Sequence, residues 1–236
     1  MEPRNTGPTT GGSAPAAPAA PTVSAPRAAA HDLLLGFAGR LPDRLLWRLR
    51  DWLDAGADAA LRTSLPRTLL RHRVAVTDHE RALLHTLVSA WGGPLRPVEA
   101  ILRTDTAPEP AATFEAAAGW DSTDLVLRAL VPALGEVREL RRSWRTDHAA
   151  RRAAPTPPVR VVLVRATGRR PEVAGAVARC LRARGEVPCV EVMAERGPDG
   201  PYHRAALAGS EALWVPVPGA RRAGPDAAPA ELVGHG

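Results

Sequence analysis

The stretch Val159–Glu186, VRVVLVRATGRRPEVAGAVARCLRARGE, constrains the fold more than any other. Val159 to Arg165 is β-branched and almost wholly apolar, as a strand buried on both faces must be. The period then changes. Between Pro171 and Arg184, Val173, Val177, Cys180 and Leu181 recur at helical spacing, and Gly185 supplies the residue that ends a helix. Val187 to Met193 reads as a second strand, Tyr202 to Gly209 as a short helix, and 211–217 as a third strand, with Pro216 marking an edge or strand end. This order predicts a small three-stranded parallel β-α-β-α-β unit over 159–217, joined by right-handed crossovers.

Upstream, the period is helical. In LPDRLLWRLRDWLDAG, Leu45, Leu46, Leu49, Trp52 and Leu53 form one apolar stripe, Pro42 and Asp43 suit the first turn and Gly56 suits the position after the last. SLPRTLLRHR predicts a helix capped at Ser64 with Pro66 in its first turn. TDHERALLHTLVSAWGG carries a T-x-x-E capping box, Thr77 with Glu80, and a glycine pair to stop it. Residues 94–103 add one short helix, 107–119 read as loop, and Asp121 or Ser122 caps a helix through LVLRAL that Pro132 should break or kink. GEVRELRRSWRTDH reads as further helix, with Val137, Leu140 and Trp144 on one face. The expected organisation is a disordered Pro/Ala-rich tail (1–30), a helical region (31–150), a linker (151–158), the α/β unit (159–217) and a flexible C-terminus (218–236) in which Glu231–Leu232–Val233 could dock. The fold class is an α-rich α/β: an N-terminal helical bundle region plus the C-terminal parallel unit.

Composition bears on partners. The chain has 31 basic residues, all of them arginine, and a net charge of +6. Arginine without lysine, beside abundant Ala, Pro and Gly, is the usage of a GC-rich genome, actinobacterial in style, so the basic balance reads first as codon bias. No segment is a polybasic arm. The densest run, Arg138, Arg141, Arg142, Arg145, Arg151 and Arg152, is interleaved with Glu136, Glu139 and Asp147, which favours a salt-bridged exposed helix over a nucleic-acid face. Two cysteines without a CxxC pair suit a reducing, cytoplasmic setting, and no apolar run reaches membrane-spanning length.

The loop Ala166–Arg170, ATGRR, poses the chemical question. A dinucleotide fingerprint needs three glycines and a Walker A loop needs a lysine; this loop has Gly168 alone. What remains is a helix N-terminus that attracts anions, with Thr167, Arg169 and Arg170 beside it and His203 near the same end of the sheet. HExxH and GxSxG are absent, so no metal centre, cofactor or catalytic site is expected. The leading expectation is therefore a non-enzymatic protein-interaction or regulatory protein, its partner another protein met through Trp47, Arg48, Arg67 and Arg71. The alternative is a small phosphate- or nucleotide-ligand module using Thr167, Arg169, Arg170 and His203. The second alternative is nucleic-acid binding through Arg-rich helices.

Overall fold

The computed structural model describes residues 24–148, 157–197 and 199–216. In chain order the elements are α1 (Ser24–Gly36), α2 (Asp43–Asp54), α3 (Asp58–Arg71), α4 (Asp78–Ala90), α5 (Arg96–Glu99), β1 (Ala112–Glu115), α6 (Ser122–Leu134), β2 (Val137–Asp147), β3 (Val159–Ala166), α7 (Arg170–Ala183), β4 (Val190–Ala194), α8 (Pro201–Ala208) and β5 (Ser210–Trp214). The expected tail up to residue 23, most of the 151–158 linker and the end from 217 lie outside the described residues. Residues 24–30, expected to belong to that tail, form the first turns of α1.

The local reasons for several elements are those read from the sequence. Thr77 Oγ1 accepts from the Glu80 amide at 3.2 Å while the Glu80 carboxylate accepts from the Thr77 amide at 2.8 Å, completing the capping box of α4. Asp121 caps α6 by accepting from the amides of Thr123 and Asp124. Two expectations fail within the helices. Ser64 is not a cap, because α3 begins at Asp58 and carries Pro66 inside it, buried beside Leu65 and Leu69. Pro132 does not end α6, which runs two residues further to Leu134.

The larger correction concerns the sheet. GEVRELRRSWRTDH is a strand, β2, and it is the centre of a five-stranded mixed sheet. One edge of β2 pairs antiparallel with β3. Its other edge pairs antiparallel with β5 through Leu140–Ser143 and with β1 through Trp144–Asp147. Only β3 and β4 are a parallel pair. The third strand of the expected parallel unit, β5, therefore lies across β2, antiparallel to its neighbour. The five strands come from both sides of 149–156, and α8 carries the chain from β4 to the far side of β2.

One sheet face packs under α6 and α7, where Leu140, Val162, Val164, Val190 and Val192 meet Leu127, Val131, Val173, Val177 and Leu181. The other face takes α8 together with Leu35 and Trp47 of α1 and α2, over Val161, Leu163 and Met193. The helices α1–α5 bury a separate core of Leu33, Phe37, Leu49, Leu65, Leu84 and their neighbours, and Tyr202 of α8 enters it. Among the described residues, no helix is long and apolar enough to cross a membrane.

Candidate functional site

Four features carry unusual chemistry: a polar seam between bundle and sheet, a buried arginine cluster beneath α6, a cleft at the strand ends, and the outer face of α6. The seam follows from β4 being an edge strand. Its outward carbonyls need donors, since a buried unpaired carbonyl is costly. His31 of α1 donates from Nε2 to the Val192 carbonyl at 2.7 Å, and Arg50 of α2 donates to the Val190 carbonyl at 2.6 Å. Arg50 also grips Glu191 with both terminal nitrogens, at 2.9 and 2.7 Å, and His203 Nε2 donates to the same carboxylate at 3.1 Å. Glu191 is 1% exposed. Burial pushes its carboxyl up, but Arg50 and His203 more than offset this and hold it at about 2. Burial depresses His31 from 6.5 to about 4, so its imidazole stays neutral. Nearby, Arg145 donates to Tyr202 Oη at 3.1 Å and pairs with Asp43. Burial lifts the Cys189 thiol to about 12, which leaves it protonated and unreactive.

On the opposite sheet face, Arg142 of β2 and Arg160 of β3 both pair with Asp124, which is 0% exposed. Both guanidiniums stack on Trp144, 5.8 and 4.7 Å from its ring centre. Glu211, Asp121 and Glu186 complete this cluster. It ties the start of α6 to the sheet.

The strand-end cleft holds about 380 Å³ and lies beyond the carboxyl ends of β3 and β4. Arg170 and His203, two of the residues picked from the sequence, both line it, with His79 and Arg196. Thr167 and Arg169 do not join them. They turn to Glu136, whose backbone carbonyl accepts from the Thr167 amide at 3.0 Å and whose carboxylate accepts from the Arg169 amide at 2.7 Å. A side chain at Gly168 would press on that carboxylate at 3.0 Å. The chain's own Glu136 thus occupies the anion position at the start of α7. Arg170 is paired with Asp32, and Arg165 with Asp199.

The expected interaction face is split. Arg48, Arg67 and Arg71 are exposed, but Trp47 is half-buried against the sheet. A different surface is apolar. The inner face of α6 buries Asp124, Leu127 and Val131, while on its outer side Leu125 is 55% and Val126 40% exposed. Trp120, just before the cap, is 46% exposed and carries the Arg128 guanidinium 5.0 Å from its ring centre. The sequence signal was present in LVLRALVPAL, which has apolar side chains all round the helix, a pattern of buried or partnered helices. No protein-family model, curated protein or solved structure matches this chain.

Proposed function

We propose that this chain is a non-enzymatic interaction protein that binds a partner protein through the outer face of α6. The observation that carries the reading is the exposure of Leu125 and Val126 beside Trp120 and its stacked Arg128. A surface helix ordinarily turns charges outward. Tryptophan and arginine on an apolar patch are the chemistry of interface anchors.

The fate of the ionisable groups supports the same reading. Glu191, His203, Arg50, Asp124, Arg142 and Arg160 are bound to one another inside the fold. Ligand binding at the strand ends is the weaker reading, because Arg170 and His203 each have an acidic partner within the chain. Nucleic-acid binding through the run from 138 is weaker still, because Arg142 and Arg145 are buried in β2 and paired with Asp124 and Asp43. The test is a photo-crosslinking amino acid placed at Leu125, with the same group at exposed Arg71 as control. A discrete adduct at 125, absent at 71 and lost with Trp120→Ala, is expected. No adduct at 125, or the same adduct at both positions, overturns the reading.

A further inference from the structure

Four helices of this protein end in the same way. At the ends of α2, α3, α4 and α7, one amide bonds to the carbonyl three residues back and the next amide to the carbonyl five residues back. The pattern needs a left-handed residue, and glycine is the natural choice. Gly56, Gly92 and Gly185 fill that place with φ between 67° and 73°. At the end of α3 the residue is Arg73, at φ 51°. A side chain in this conformation is disfavoured, and residues held so cluster at ligand clamps and switch regions.

Arg73 stands at the rim of a groove of about 450 Å³, formed by the turn after α1, the turn after α3 and residues 108–111. Its lining is mixed: Ala38, Val74, Pro108 and Ala111 give an apolar wall, and Arg40, His72, Arg73, Thr104 and Glu109 the polar part. Tyr202 lines it too, its hydroxyl fixed by Arg145 at 3.1 Å. The charges at the rim are unequal. Arg40 is neutralised by Glu80. Glu109 stands 80% exposed and 4.0 Å from Arg204. Neither Arg73 nor its neighbour His72 meets a carboxylate among the described residues.

We propose that this groove binds a small organic anion, a phosphate or carboxylate on an apolar body, with Arg73 as its anchoring cation. Arg73 holds the charged head, and the wall of alanine, proline and Tyr202 takes the apolar part. The proposal stands apart from the α6 interface, and either can fail without the other.

The experiment titrates the full chain with phenyl phosphate and, separately, with benzoate, following the ring resonances of Tyr202, the chain's single tyrosine. A saturable shift is expected in at least one arm, and the arm that responds identifies the head group. Arg73→Gly is expected to melt at the same or a higher temperature and to bind at least tenfold more weakly. Arg73→Lys should keep most of the affinity, and Arg170→Ala, in the separate strand-end cleft, should keep all of it. No shift of Tyr202 in either arm overturns the proposal, as does Arg73→Gly binding as tightly as the unaltered chain.

Discussion

His31 and Glu191 sit in one polar seam but titrate in different windows. The His31 pKa is depressed by burial from 6.5 to about 4, so the unfolded chain takes up a proton there before the folded chain does. Its contribution is complete above pH 6.5 and is lost as pH falls through 4, a difference of about 3 kcal/mol at 1.36 kcal/mol per unit. Glu191, moved from 4.5 to about 2, contributes above pH 4.5 and loses that contribution as pH falls through 2. Urea unfolding midpoints should therefore fall between pH 7 and pH 4. His31→Gln, whose amide can still donate to the Val192 carbonyl, should flatten that decline, and an undiminished slope in the variant would show that another group causes it. Removing the carboxylate is a harsher change. Glu191→Ala leaves Arg50 and His203 buried without their anion, and should cost about 3–5 kcal/mol at pH 7. A loss below 1 kcal/mol in the same unfolding assay would mean that water or a neighbouring acid replaces it.

At the scale of elements, α6 and β2 separate what periodicity can and cannot reveal. The outer residues of α6 are exposed, Leu125 at 55% and Val126 at 40%, so Leu125→Glu and Val126→Glu should each change unfolding free energy by no more than about 0.5 kcal/mol. A loss above 2 kcal/mol in denaturant titration would show that this face is packed after all. The start of the helix was legible in Asp121 or Ser122, whereas its run past Pro132 to Leu134 was not. The capping box at Thr77, the short helix from Arg96 and the strands at Val159 and Val190 were legible for the same reason, since short-range chemistry decides them. β2 was not. In VRELRRSWRTD the positions that face the interior include Arg142 and Arg145, and each is buried because an acid distant in sequence meets it, Asp124 or Asp43. Alternation of apolar and polar residues cannot reveal a strand whose inward positions are charged, and glutamates beside arginines imitate an exposed helix. With β2 hidden, the order of the sheet was out of reach. Glu136 was hidden likewise: nothing local to ATGRR says that a carboxylate from before β2 will sit at the start of α7.

Across the whole molecule, the helices α1–α5 and the sheet are interlocked rather than merely adjacent. α1 contributes His31 to the edge of β4 and Leu35 to the sheet face, while Leu33 and Phe37 enter the helical core. α2 does the same with Arg50 and Trp47 on the sheet side and Leu49 and Leu53 on the other. In return, α8 sends Tyr202 into the helical core, where Phe114 of β1 meets its ring edge-on at 5.1 Å. Neither half can lose its order without exposing apolar surface and unpaired charges in the other. The molecule should therefore unfold in a single transition, with the methyl resonances of Leu84 in the helical core and of Val164 in the sheet giving coincident midpoints. Glu191→Ala sharpens the test, because its carboxylate lies on the boundary between the halves. If they are coupled, the variant moves both midpoints down together and leaves the curves superimposed. If the sheet were held independently, the helical signal would melt at its original midpoint while the sheet gave way earlier, and the two curves would separate.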